Sequence, residues 1–165
     1  MRGARNSRAD IITMTMTPFR LPRVAYLLGF AGLVPQALAL GLTFSEDSLF
    51  IGLAAGFFYA ALIFSFLGGI WWGVAATSGD APTWLYPVAV VPSLLAFASG
   101  VPWMNGSAWP GPSLAVLGVG ILLSPSVDFV LMRLGVIDRD LFGLRVLLSL
   151  GLGLLTMALA VAAPA

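Results

Sequence analysis

The sequence predicts an all-α fold, a polytopic integral membrane protein built as a bundle of five transmembrane helices. Apolar residues make up 59% of the 165-residue chain, against ~45–50% in an ordinary soluble domain. Charged residues make up only 9%, against ~25% in such a domain. A soluble domain of this length could not keep so much apolar surface away from water. In addition, five stretches are apolar over the roughly 20 residues that a transmembrane helix needs.

Charged or turn-forming residues separate these five stretches. The first 23 residues are polar, and the transmembrane domain is expected over residues 24–165. The breaks are, in order, Glu46 with Asp47, the turn segment 77–82, the polar and proline-containing segment 105–112, and Gly135. The predicted helices are therefore about 24–44, 49–76, 84–103, 113–134 and 141–162.

The distribution of arginine predicts the orientation of the helices. If the N-terminus is inside, the inner segments and the helix ends next to them contain all of the basic residues, namely Arg2, Arg5, Arg8, Arg20, Arg23, Arg133, Arg139 and Arg145. The outer segments then contain no basic residue, which is the asymmetry that membrane proteins show between their two sides. We therefore predict the N-terminus inside and the C-terminus outside.

The five tryptophans fit the same orientation, because Trp prefers the membrane–water interface. We expect Trp71, Trp72 and Trp84 at the inner face and Trp103 and Trp109 at the outer face. No tryptophan is then expected at the middle of the bilayer.

Three residue types are missing from the chain, and their absence excludes several chemistries. There is no Cys and no His, and all eight basic residues are Arg. Disulfides, thiolate chemistry, the usual zinc and copper sites, a Ser–His catalytic pair and a lysine Schiff base are thus excluded. The net charge of +1 favours no nucleic acid as a partner. We predict no catalytic residues, no metal and no cofactor.

Apart from Arg133 at the end of the fourth helix, two charged residues lie within predicted helices, Asp128 in the fourth and Arg145 in the fifth. These helices form an antiparallel hairpin, and both residues lie eight or nine positions from the middle of its turn. At 1.5 Å per residue both are on the order of 10 Å in from the turn. We predict an intramembrane ion pair, in which the guanidinium can bind the carboxylate through two N–H groups. The pair either locks the hairpin or forms a proton or substrate site.

The second predicted helix carries the densest pattern, in the run of residues 65–73. Its candidates for contact with another helix, a partner protein or a lipid are Gly68, Gly69, Trp71, Trp72 and Gly73. The G-x-x-x-G spacing, which allows helices to approach closely, occurs at Gly52–Gly56 and at Gly69–Gly73. The run either packs helices and forms an aromatic belt, or leaves room for a lipid, a quinone or a partner helix.

Prolines interrupt three predicted helices, at Pro35, Pro92 and Pro125, and each removes one intrahelical hydrogen bond. Polar side chains beside the prolines could bond the carbonyls that are freed, and they are Gln36, Ser93, Ser124 and Ser126. Together with Tyr59 and Ser65 of the second helix, Gln36 and Ser93 are the predicted polar positions inside the membrane.

Several segments resemble the transmembrane protein 69-like family, which has bacterial inner-membrane and mitochondrial members. They are residues 21–35, Tyr59, residues 65–73, residues 90–97, Asp128, and Leu144 with Arg145. The chain departs from the family pattern at Trp71, Phe97 and Leu141–Phe142. The resemblance implies a location in the bacterial cytoplasmic (inner) membrane and a multi-pass fold, and it implies no reaction.

Three functions remain open at this point. The first is a non-enzymatic accessory or assembly subunit of a larger inner-membrane complex, with membrane lipids and a membrane protein or a second copy as partners. The second is a small oligomeric transporter or channel component, with Asp128, Arg145, Gln36 and Tyr59 along a polar path. An intramembrane or lipid-modifying enzyme is the third, and it would have to work with Asp128, Ser and Tyr alone.

Overall fold

A computed structural model describes residues 21–106 and 110–164, and this part of the chain is helical, without a β-strand. A short 3₁₀ turn, Glu46–Ser48, precedes the third helix. The α-helices are α1 (Arg23–Ala31), α2 (Val34–Leu42), α3 (Leu49–Thr77), α4 (Leu85–Met104), α5 (Gly111–Arg133) and α6 (Arg139–Ala162).

Five stretches of the described chain are long and apolar enough to cross a membrane, with α1 and α2 together forming the first. The ends of all five lie within two residues of the predicted ends. These helices suggest a multi-pass membrane protein. Most of the polar N-terminal segment predicted for residues 1–23, and Trp109, lie outside the described residues.

The first stretch differs from the prediction of one helix over 24–44, because α1 ends at Ala31 and α2 begins at Val34. Pro35 has no N–H with which to bond the Ala31 carbonyl, so the regular hydrogen-bond pattern cannot continue through this point. The Tyr59 hydroxyl of α3 donates to the carbonyl of Gly32 at the break. A side chain from another helix therefore bonds the backbone where the first stretch is interrupted.

The helices pack mainly as two pairs, α3 with α4 and α5 with α6, and α2 lies against α3. Close approach depends on particular glycines. A Cβ at Gly68 would lie 2.3 Å from the Ala89 carbonyl oxygen of α4, and a Cβ at Gly56 would lie 2.4 Å from Leu159 of α6. Gly69 and Gly73 have no neighbouring atom within 4 Å of such a Cβ. Of the two G-x-x-x-G pairs, only Gly52–Gly56 packs inside the bundle.

The turn between α5 and α6 is a Schellman motif, which ends α5 where the sequence predicts. Gly135 has a positive φ of 74°, a conformation that glycine adopts at little cost. The Val136 N–H bonds the Leu131 carbonyl, and the Gly135 N–H bonds the Met132 carbonyl. The short turn reverses the chain, so that the last turns of α5 face the first turns of α6.

Charge and polarity are distributed very unevenly along the helices. Large apolar side chains such as Leu27, Leu62 and Phe97 are exposed on the outside of the bundle. Within the described ranges, the charged residues lie at helix ends or in connecting segments, with two exceptions, Asp128 and Arg145. The interior thus has one place where charge must be accommodated.

Neighbouring glycines on α3 offer a matched test of this packing. We expect Gly68→Ala to lower the free energy of unfolding by about 1–3 kcal/mol relative to Gly69→Ala, because its Cβ would overlap a backbone carbonyl. Gly69→Ala should be neutral or slightly stabilising, since Ala favours a helix over Gly by roughly 1 kcal/mol. Reversible unfolding in mixed micelles measures both changes, and equal stability of the two variants would contradict the α3–α4 contact.

Candidate functional site

The structure brings Asp128 of α5 and Arg145 of α6 together inside the bundle. The Nε of Arg145 lies 2.7 Å from Oδ2 of Asp128. Asp128 is 1% exposed and Arg145 is 6% exposed. Asp128 lies five residues before the end of α5 and Arg145 six residues after the start of α6. The tight turn at Gly135 therefore sets the two side chains at the same depth.

The geometry of the pair differs from the bidentate contact, through two N–H groups of Arg145, that the sequence allows. Arg145 donates to the carboxylate through Nε alone, and the other carboxylate oxygen, Oδ1, accepts a hydrogen bond of 2.8 Å from the indole Nε1 of Trp71. Asp128 is therefore held by α6 on one side and by α3 on the other. The charged pair joins three helices rather than two.

Trp71 is buried among the helices, since it is only 4% exposed. Its indole N–H bonds Asp128, and its ring centre lies 6.0 Å from the guanidinium carbon of Arg145. A cation near the face of an indole ring is weakly attracted to it. The adjacent Trp72 is 49% exposed, and its ring packs edge-on against Tyr86. Two consecutive tryptophans thus have different environments.

One nitrogen of the guanidinium has no hydrogen-bond partner. Nη2 of Arg145 is buried, and no protein atom within the described ranges accepts a bond from it. Burying such a donor without an acceptor is unfavourable. The cluster of Asp128, Arg145 and Trp71 therefore satisfies the carboxylate and leaves donor capacity on the arginine.

A second set of buried polar contacts continues along the same face of α6. The hydroxyls of Ser124 and Ser149 are 3.1 Å apart, and Gln36 Nε2 donates to Thr156 Oγ1 over 2.9 Å. Between Ser149 and Thr156 the buried positions are Leu152 and Gly153. These contacts attach α6 to α5 and α2, and apolar packing interrupts them, so they do not form a continuous polar path.

The polar side chains beside the prolines have different partners. Ser124 Oγ donates over 2.8 Å to the Ile121 carbonyl, which Pro125 leaves without its helical donor. Gln36 does not serve Pro35 in this way, because its amide reaches across to Thr156. Ser126 donates to the Leu123 carbonyl rather than to the one that Pro125 frees. Among Ser124, Gln36 and Ser126, Ser124 is thus the residue that bonds a carbonyl freed by a proline.

Ser65, Ser93 and Tyr59 lie apart from the cluster of Asp128, Arg145 and Trp71. Ser65 and Ser93 line an open groove of about 380 Å³ between α3 and α4, together with aromatic side chains including Phe97. Tyr59 bonds the Gly32 carbonyl. The proposed polar path through Asp128, Arg145, Gln36 and Tyr59 is thus a set of separate contacts. Gly69 and Gly73 line neither this groove nor the cavity described next.

A cavity of about 220 Å³ lies next to Arg145, between α1, α3, α5 and α6. Its polar side chains are Arg145 and Ser149, and the others are apolar. Leu28 and Phe66 belong both to its lining and to the exposed surface of the bundle. The cavity therefore opens sideways, onto the apolar exterior.

Sequence reasoning missed the role of Trp71 and the partners Ser149 and Thr156. Arg145, Ser149 and Thr156 recur at helical spacing on one face of α6, which could have indicated a polar seam. For Trp71 the sequence contains no such signal, because its contact depends on how α3 is rotated against α5. In the described part of the chain, no group of three or more Asp, Glu, His or Cys residues could hold a metal ion.

The fold and the site define a helical protein with five membrane-length apolar segments and a buried Asp–Arg–Trp cluster. The chain belongs to the family described as "Protein of unknown function (DUF3429)", whose sequence model matches residues 21–161. No curated protein matches the chain, and no solved structure matches it.

Charge neutralisation tests whether the pair is an anchor. We expect Asp128→Asn and Arg145→Gln, made singly, each to cost about 3–5 kcal/mol of stability, because each leaves an uncompensated buried charge. The double variant should be more stable than either single variant, since no unpaired charge remains. Thermal unfolding in detergent gives the comparison. Two single variants as stable as the parent protein would show that the ion pair does not hold the bundle together.

Proposed function

We propose that this chain is a non-enzymatic, multi-pass protein of the bacterial inner membrane that serves as an accessory or assembly subunit of a larger membrane complex. The observation that carries the proposal is the use of the buried polar side chains in contacts between helices. Asp128, Ser124 and Gln36 each bond a residue of α6. The resemblance to the transmembrane protein 69-like family supports the same membrane.

Two glycines on the outer face of α3 support the proposal that a helix of a partner protein packs there. Gly69 and Gly73 are one helical turn apart, and neither has an atom within 4 Å of the place where a Cβ would stand. Small residues at this spacing let a second backbone approach, and such packing drives helix association in lipid. Trp72, exposed beside them, adds aromatic surface for the same contact.

One observation favours the alternative, a small oligomeric transporter or channel component. Arg145 lines a cavity and has an unpartnered nitrogen, as a residue on a substrate route would. Against this, Leu152 and Gly153 occupy the face of α6 between the polar contacts. A second copy of the chain would have to complete the route.

For orientation, we propose the N-terminus inside and the C-terminus outside, as the arginine distribution indicates. The chain has no cysteine, so single cysteines can be introduced for labelling. A membrane-impermeant maleimide should label Asn105→Cys in intact spheroplasts, and it should label Gly79→Cys only after permeabilisation. The reverse pattern would show the opposite orientation.

Purification of the tagged protein from its own membrane in mild detergent, followed by native mass spectrometry, tests the proposed role. We expect a stoichiometric complex with another membrane protein. The double variant Gly69→Leu/Gly73→Leu should lose that partner by at least about tenfold and remain folded, because the new side chains prevent close helix approach.

Gly143→Leu is the matched control, since Gly143 is also a helical glycine with no atom within 4 Å of a Cβ, and it should retain the partner. A homo-oligomer with only lipid bound would favour the transporter instead. A monomer without any partner would contradict both functions.

A further inference from the structure

The cavity beside Arg145 has the features of a binding site for a molecule that arrives from the lipid phase. It is lined by apolar side chains except for Arg145 and Ser149. Its opening lies between exposed residues of α1 and α3, Leu28 and Phe66. A water molecule needs two to four polar partners to be held in such a space. The composition of the lining therefore favours an apolar occupant.

The polar end of the cavity offers hydrogen-bond donors. Arg145 lines the cavity, and its guanidinium donates to Asp128 through Nε. The Ser149 hydroxyl donates to Ser124, whose own hydrogen goes to the Ile121 carbonyl. The carboxylate of Asp128 is occupied at both oxygens, by Arg145 and by Trp71. A guanidinium has donors and no acceptor, so a ligand atom that bonds Arg145 must be an acceptor.

The charge at this end is already balanced, because Asp128 neutralises Arg145. An anionic group would bring an uncompensated charge into an apolar space, which is strongly unfavourable. A neutral acceptor, such as a carbonyl oxygen, meets the same donors without that penalty. Because Asp128 and Arg145 together carry no net charge, the cavity should bind a carbonyl group more favourably than a carboxylate or a phosphate.

Size and depth narrow the class further. A cavity of about 150 Å³ holds a benzene molecule, so the 220 Å³ found here accommodates one substituted six-membered ring. Arg145 and Leu152, which both line it, lie roughly 9 and 20 Å along α6 from its start. The polar end of the cavity is therefore nearer the start of the helix, and the apolar part lies deeper in the bundle.

We infer that the cavity binds a neutral, lipid-soluble molecule with a ring-sized head that bears a carbonyl, of the quinone class, with its ring between α1, α3 and α6 and a carbonyl oxygen accepting from Arg145. The hydrocarbon tail leaves through the opening between Leu28 and Phe66. Such a site goes beyond the accessory role proposed above.

Trp71 is a built-in reporter for this site, since its ring lies beside Arg145. Replacing Trp72, Trp84, Trp103 and Trp109 by Phe leaves Trp71 as the one tryptophan of the full-length protein. The probe is a decyl-substituted para-benzoquinone, which quenches indole fluorescence, added to this protein in nanodiscs. We expect saturable quenching, and we expect decanoate, which has a similar tail and an anionic head, to compete poorly.

Leu67→Phe places a ring on the cavity wall and leaves the ion pair intact. It should weaken quinone binding by about tenfold or more, because the new ring occupies part of the space that the quinone ring needs. Leu154→Phe is the matched control, since Leu154 is exposed and does not line the cavity, and it should bind as the parent does. The double variant Asp128→Asn/Arg145→Met, which lacks the donor, should also bind more weakly.

Three results would overturn the inference. They are quenching that does not saturate, equal binding by Leu67→Phe and Leu154→Phe, and tighter binding of decanoate than of the quinone. If the double variant does not fold, the comparison of Leu67→Phe with Leu154→Phe still decides. Both of those variants keep Asp128, Arg145 and Trp71.

Discussion

The contact between Asp128 and Arg145 is the interaction on which the arrangement of the helices depends. Either charge alone, inside an apolar bundle, would be costly enough to unfold it or to draw it toward water. Together they are neutral, and the contact forms only when α5 and α6 stand at one particular depth. Trp71 then extends the constraint to α3, because its N–H bonds the remaining carboxylate oxygen. One ion pair thereby selects the relative positions of three helices, whose apolar faces would pack in many registers.

The interruptions of the helices follow a related rule, because a backbone carbonyl in an apolar surrounding needs a donor from elsewhere in the chain. At Pro125 the donor is the neighbouring Ser124, so the compensation is local and α5 continues through the proline. At the break before Pro35 the donor to the Gly32 carbonyl is Tyr59 of another helix. The break before Pro35 therefore depends on the packing of α1 and α2 against α3, whereas the compensation at Pro125 does not depend on another helix.

Much of the fold follows from the sequence, since the length of each apolar stretch and the residues between them determine where helices begin and end. The pairing of Asp128 with Arg145 follows as well, because a short turn makes depth a matter of counting residues. Rotation of one helix against another does not follow, and for that reason the sequence does not predict the contact of Trp71 with Asp128. Because the sequence does not show how α3 is rotated, it does not distinguish Gly68 from Gly69, although only Gly68 contacts another helix. Gln36 and Thr156, 120 residues apart, belong to this class of contact too.

The break between α1 and α2 divides the first stretch into two halves that are held with unequal strength. The later half buries Gln36 and Ala39, and Gln36 is hydrogen-bonded to α6. The earlier half, α1, buries no residue. Segments with few buried contacts open locally at a lower free energy than the fold as a whole. We therefore expect α1 to separate from the other helices at a lower free energy than α2, so the side of the cavity that α1 forms is the part of the bundle that opens most easily.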